Sequence, residues 1–310
     1  MSVSLSRLLT PRFMVPLVGV TATSIGLAYY STQPQFQINN DSGSKNDSGS
    51  KNATFTGGDQ WVDLKLKNFE DLSHDTKHLT FELNNPEDTS GLITASMLMT
   101  KFVTPKGNNV IRPYTPVSEP NQQGTIDFVI KKYEGGKMST HIHDLKVGET
   151  LSFKGPFVKW KWVPNQFKSI ALIGGGTGIT PLYQLLREIA NNPDDKTKVS
   201  LIYGSTTPAD VLIKDKIDEI AKKHKDQVKV TYFVNDKKGD DSWEGEVGYI
   251  TKEFLEKELE KPNPDFKVFV CGPPALYKAI SGVKVSPTDQ GEVDGALKEL
   301  GFTKENVFKF

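Results

Sequence analysis

The sequence predicts an antiparallel β-barrel followed by a parallel-sheet α/β domain, and three observations carry that expectation. Between Trp61 and Gly155 short β-rich runs alternate with turn signals. Beyond residue 168 apolar runs recur with helix-like stretches between them, the pattern of βαβ units. Where the first of those runs meets its helix stands GGGTGITP, residues 174–181, a glycine turn of the kind that lets backbone approach an anion.

The elements follow in chain order. Residues 1–40 contain no Asp or Glu, carry Arg7 and Arg12, and run almost uncharged from Phe13 to Tyr30. About 18 residues at 1.5 Å rise span roughly 27 Å, close to the thickness of a bilayer core. A secretory signal, an organelle presequence and a retained anchor all fit such a segment. Arginine and serine without acid favour a mitochondrial address, and the length favours an anchor. DSGSKNDSGSKN, residues 41–52, is one hexapeptide written twice with nothing apolar to bury, so 41–57 reads as a flexible linker.

The first globular part is assigned to 58–160. HLTFEL (78–83), TIDFVIKKY (125–133) and TLSFKGP (150–156) alternate or are β-rich, and only MSTHIHDLK (138–146) looks helical. The second part, 161–310, carries apolar runs at 169–173, 199–203, 228–234 and 266–270, separated by segments such as LYQLLREIA and KDKIDEIAKKHK. Basic and acidic residues balance at 38 each, so no global field draws the chain to nucleic acid. Cys271 is the only cysteine, which excludes an internal disulfide and a cysteine-based metal cage. Nothing in the sequence demands more than a monomer.

The chemistry concentrates in a few stretches. Gly174, Gly175, Gly176 and Gly178 permit close backbone approach and positive φ. Thr180 is expected to cap the following helix, with Pro181 in its first turn. In the barrel half RPYTPVS (112–118) offers the Arg112 fork for a phosphate, the Tyr114 ring and hydroxyl, and the Thr115 hydroxyl between stiffening prolines. GGKMS (135–139) reads as a second amide nest, with Met138 and Ser139 opening a short helix. Each residue alone also fits a structural role; with VIKKY between them, three such stretches in one small barrel argue for a nucleotide.

In that order, RPYTPVS, VIKKY (129–133), GGKMS, GGGTGITP and CGPP (271–274) resemble the ferredoxin-reductase-like flavoproteins, and within them the NADH–cytochrome b5 reductases. The resemblance covers about residues 60–310, and the N-terminal segment and tether are like those of the fungal mitochondrial members. One position departs: the motif usually reads CGPPP, and residue 275 is Ala.

The resemblance implies FAD on the barrel and NADH on the α/β domain. Arg112 would hold the pyrophosphate, and Tyr114 and Thr115 would lie along the ribityl chain and ring. Val129 and Lys131 would border the flavin, with Tyr133 near the adenine or the ring. Gly136, Lys137, Met138 and Ser139 would cradle the diphosphate. On the NADH side stand Gly174, Gly176, Thr177, Gly178, Thr180 and Pro181, then Cys271, Gly272 and Pro273. Thr180, Lys131 and Cys271 are the candidate catalytic residues. Asp236, after the strand VKVTYFVN, would accept from ribose hydroxyls and repel a 2′-phosphate, favouring NADH over NADPH.

The implied activity moves a hydride from NADH to flavin, then single electrons to the haem of cytochrome b5. The implied location is the mitochondrial outer membrane, N-terminally anchored, with a processed soluble pool in the intermembrane space. Lys131, Lys132, Lys137, Lys154, Lys159 and Lys161 are candidates for steering an acidic acceptor. Another NADH-dependent flavoprotein reductase, or a flavin- and NAD-sensing module without turnover, are the alternatives. His141-Ile-His143 lacks the accompanying ligands of a metal site. Phe310 fits either a place near the nicotinamide or the core of a final strand.

Overall fold

A computed structural model describes residues 52–310; the expected anchor and most of the linker lie outside the described residues. Two six-stranded sheets organise the chain. The first contains β1 (Val62–Ser73), β2 (Thr76–Glu82), β3 (Ser96–Val103), β4 (Asn109–Tyr114), β5 (Thr125–Lys131) and β6 (Thr150–Val158). It is antiparallel in every pairing, in the order β4-β3-β6-β1-β2-β5.

Its inward faces alternate as a half-buried strand requires: Leu64, Leu66, Leu79, Phe81, Ile126, Phe128 and Phe153 are each at most 1% exposed. The sheet curls around this cluster, and helix α1 (Lys137–Asp144) adds Met138 and Ile142 to it. The strands at its two ends are β4 and β5, which carry Arg112, Tyr114 and Val129.

The second sheet contains β7 (Ser169–Gly175), β8 (Lys198–Ser205), β9 (Val228–Val234), β10 (Glu246–Val247), β11 (Phe266–Cys271) and β12 (Val307–Lys309). It is parallel throughout, in the order β10-β9-β8-β7-β11-β12. The strands are near-continuous apolar runs because helices cover both faces. Those helices are α2 (Ile179–Asn191), α3 (Lys214–Lys223), α4 (Lys252–Glu258), α5 (Pro274–Ile280) and α6 (Gly295–Glu299). From β7 the order runs outward through β8 to β10, while β11 returns to the other side of β7. The crevice between the ends of β7 and β11 is therefore the switch point where such sheets hold ligands.

Helix α2 is buried on nearly every side: eleven of its thirteen residues are buried. The sheet covers one face and the barrel covers another, as shown by a single core cluster that unites Leu182, Leu185 and Leu172 with Ala95, Val117 and Val129. One sequence expectation is corrected here. Thr180 does not cap α2; the helix begins at Ile179 after Gly178 with no side-chain cap. Thr180 lies inside the first turn, and its Oγ1 donates back to the Thr177 carbonyl at 3.2 Å. Among the described residues no helix is long and apolar enough to cross a membrane.

Candidate functional site

The parallel register brings Gly174 at the end of β7 beside Cys271 at the end of β11. The two turns that follow are pressed together. A Cβ on Gly178 would stand 2.2 Å from the Cys271 carbonyl oxygen and 2.7 Å from the Gly272 nitrogen. Gly175 is closed in by Leu276 and Pro273 in the same way. Gly176 differs: its φ is +52° and nothing lies within 4 Å of the Cβ position. The glycines thus form a tight floor with one open, left-handed residue above it, a shape that fits a dinucleotide at a helix start.

The barrel reaches this loop directly. Tyr133, two residues beyond β5, places its hydroxyl 3.0 Å from Thr177 Oγ1. Behind it the amide nest is closed by Ser139, whose Oγ donates to the Gly136 carbonyl at 3.1 Å and accepts from the Tyr133 amide at 3.1 Å. A Cβ on Gly136 would meet Ser139 Oγ at 2.5 Å, so the turn requires glycine for space.

Tyr114 and Thr115 follow on the β4 edge, both half-buried, and neither hydroxyl makes a hydrogen bond among the described residues. Burial, opposed by Arg112, holds the Tyr114 phenol protonated well above the ordinary tyrosine range. Two unpaired hydroxyls and the half-buried Arg112 on an edge strand suit a polar, phosphate-bearing ligand such as FAD.

Several expected site residues take other positions. The side chains of Val129 and Met138 are 3% and 2% exposed and belong to hydrophobic cores, leaving only their backbone to border a ligand. Lys131 is ion-paired with Asp75 at 2.6 Å. The Asp75 carboxyl is lowered below its usual range: burial opposes this, and hydrogen bonds from Lys131 and Thr76 outweigh it. Asp236 stands apart at the end of β9, exposed, with its amide on the Thr206 carbonyl and its carboxylate on Lys238.

The lysines considered for steering are mostly engaged. Lys132 pairs with Asp144, Lys154 with Asp59, and Lys159 donates to the Pro287 carbonyl at 3.1 Å. His141 stacks on Phe102, and His143 Nε2 lies 2.8 Å from the Ile130 carbonyl.

Burial pushes the Cys271 thiol up to about 11, although its polar neighbours, the Tyr277 hydroxyl and Lys284, both favour the thiolate. It is therefore a neutral, space-filling group at physiological pH. Phe310 is placed beside it: its amide donates to the Val270 carbonyl at 3.0 Å, and its ring packs on Phe269 and Phe308. Phe310 is thus a partly buried residue packed against the core at the end of β11.

Three residues escaped the sequence reading. Lys284 lies near Cys271 with no hydrogen bond or ion pair among the described residues, lowered to about 8 by burial and then by Lys159. It sits in a loop without periodicity, so nothing in the sequence marks it. Gln184 and Arg187 of α2 were hidden inside an amphipathic pattern, where a polar residue reads as solvent-facing.

Residues 63–162 match the family described as "Oxidoreductase FAD-binding domain", and residues 172–282 match "Oxidoreductase NAD-binding domain". The chain is 77% identical over 308 residues to NADH-cytochrome b5 reductase 2 of Lodderomyces elongisporus, covering 99% of this chain and 100% of that one. It is 70% identical to NADH-cytochrome b5 reductase 2 of Candida albicans, covering 99% and 98%. Among solved structures, the cytochrome b5 reductase domain of Ulva prolifera nitrate reductase superposes with a TM-score of 0.70 at 29% identity, covering 81% of this chain and 97% of that one.

Proposed function

The chain belongs to the NADH–cytochrome b5 reductase family, and from that premise we propose that it oxidises NADH through bound FAD and delivers the electrons to cytochrome b5. Each NADH gives up a hydride, two electrons with one proton; two one-electron haem acceptors leave with one electron each, and the proton is released to solvent. FAD supplies the conversion from a two-electron donor to one-electron acceptors.

The protein's own residues do the placing. Arg112, Tyr114 and Thr115 on the β4 edge would hold the flavin nucleotide with the amides of Gly136, Lys137, Met138 and Ser139. Lys131, Tyr133 and the backbone of Val129 border it. Gly174, Gly176, Thr177, Gly178 and Pro181 would receive NADH at the start of α2, with Thr180 on the nicotinamide side. Cys271, Gly272 and Pro273 form the opposite wall, where the neutral thiol excludes water without competing as a nucleophile. Asp236 accepts from the adenosine ribose.

The observation that carries the reading is the 3.0 Å contact between Tyr133 Oη and Thr177 Oγ1, because it joins the end of VIKKY to the glycine loop. Two nucleotide sites that meet edge to edge suit direct transfer between rings. A sensing module has no need of that proximity. The test is anaerobic addition of NADH to the purified yellow protein. Bleaching, followed by reoxidation on adding cytochrome b5, supports the reading; yellow protein that NADH does not bleach overturns it.

For location, we propose N-terminal anchoring in the mitochondrial outer membrane, with a processed soluble pool in the intermembrane space. The support is the acid-free segment 1–40 with Arg7 and Arg12. Nothing in the mechanism requires a second subunit.

A further inference from the structure

Gln184 and Arg187 are the polar side chains of α2 that ought to face solvent and do not: they are 3% and 4% exposed. Both spend their donors on the other lobe. Gln184 Nε2 donates to the Pro116 carbonyl at 2.9 Å, while its Oε1 accepts from the Ser96 amide at 3.2 Å. Arg187 Nη1 donates to the Val117 carbonyl at 2.8 Å, and its Nε lies 3.3 Å from Glu119. Three residues apart on a helix, the two side chains share one face and grip two consecutive carbonyls.

The location of that grip is what matters. Pro116 directly follows Thr115 of the flavin-side motif, and Gln184 stands one helical turn beyond Thr180. At 1.5 Å per residue that turn is about 6 Å. Thr94 Oγ1 adds a half-buried hydrogen bond to Glu188 of the same helix at 2.7 Å and Lys159 one to the Pro287 carbonyl at 3.1 Å, whereas Tyr133 with Thr177 and His74 with Asp210 each involve an exposed partner. Such contacts yield easily to solvent. Two buried carbonyls that would otherwise be unsatisfied hold far more firmly.

We propose that Gln184 and Arg187 are positioning residues for hydride transfer, clamping the start of the NADH-binding helix to the flavin-binding segment so that the two rings meet at reactive distance. The inference rests on the reductase reading above. A clamp of this kind sets geometry rather than affinity, so its loss slows the chemical step more than it weakens NADH binding.

The test uses the full chain loaded with FAD, as Gln184→Ala and Arg187→Leu. Flavin content and thermal midpoint report structure. The bleaching rate at saturating NADH and the long-wavelength NADH–flavin charge-transfer absorbance report ring placement. The expected result is FAD retained, NADH affinity little changed, reduction slowed roughly 10- to 100-fold, the scale of a misplacement of about 1 Å, and the charge-transfer band diminished. Arg187→Lys, which keeps one donor for Val117, should recover part of the rate.

Wild-type reduction and an undiminished band in FAD-loaded variants, even with a lowered thermal midpoint, would overturn the proposal and leave only a structural role. If the two truncations shed FAD, Gln184→Glu decides instead. It keeps the acceptor for Ser96 and presents Pro116 with a carboxylate, so slow reduction supports the clamp and wild-type reduction overturns it. Failure of the wild-type protein itself to bleach sinks the reductase reading, a separate outcome.

Discussion

Replacing Gly178 by Ala tests the site at its tightest point. The backbone there is ordinary right-handed helix, φ −62° and ψ −10°, so alanine pays no conformational penalty. On backbone grounds alone Gly178→Ala should stabilise the chain by about 0.4–1 kcal/mol. Contact geometry reverses the sign. The new methyl would stand 2.2 Å from the Cys271 oxygen, where an ordinary contact begins at 3.4 Å, so a gap of about 1.2 Å has to open. The obstacle is strand-end backbone and cannot rotate away. Overpacking of this kind costs about 1–3 kcal/mol, which exceeds the helix gain.

The same displacement separates the glycine loop from Cys271, and about 1 Å of misplacement costs roughly 100-fold in rate. Urea denaturation of the FAD-loaded protein should therefore show a loss of about 1–2 kcal/mol, once overpacking is set against the helix gain. Stopped-flow bleaching by NADH should be slowed at least about tenfold. Gly107→Ala is the control: its φ is +79° with nothing within 4 Å, in the turn between β3 and β4. It should lose about 1 kcal/mol from strain and bleach at the wild-type rate. Gly178→Ala with wild-type stability and rate would refute the close approach of the two turns.

Two further outcomes test the walls of the site. Asp236→Ser or Asp236→Arg should raise kcat/KM for NADPH by at least about tenfold, since a carboxylate at the ribose repels the extra phosphate; unchanged discrimination would remove Asp236 from the nucleotide site. The Cys271 thiol, raised from 9.0 to about 11, holds about 100-fold less thiolate than an ordinary thiol at pH 8. Iodoacetamide should therefore modify it slowly, with a rate that climbs as pH rises toward 11, and fast alkylation near neutrality would contradict the raised thiol at this partly buried position.

Much of this was legible in the sequence, for physical reasons that differ by element. The βαβ half announces itself because its strands, buried on both faces, are unbroken apolar runs. The barrel half is less plain. The twelve residues of β1, VDLKLKNFEDLS, bury only Leu64 and Leu66, so the alternation fades after its first half and the strand has no clear signal. The glycine loop was legible as a turn from strand to helix, but not in its reasons. Of the four glycines only Gly176 needs a positive φ, while Gly178 is required by the nearness of a strand 93 residues away, taking Cys271 minus Gly178. Gln184 and Arg187 were opaque because solvent exposure is the default for such residues on a helix, and only tertiary packing overrides it.

That packing also decides how the two nucleotide sites relate. Lobes joined by a short linker ordinarily move against one another unless their interface is large and apolar. Here Ala95 and Val117, from the segments around β3 and after β4, and Val129 from β5 share one continuous core with Ile179, Leu182 and Leu186 of α2. Those barrel residues flank the flavin-side motif, and the helix residues begin at the NADH-side loop. Apolar contact gives the pair cohesion without direction, since a hydrophobic surface can slide at little cost. The two consecutive carbonyls held by Gln184 and Arg187 supply the missing register, because a hydrogen bond weakens steeply with displacement and misalignment. The distance between the sites is on this account a property of the core and its two polar pins, fixed before either nucleotide arrives.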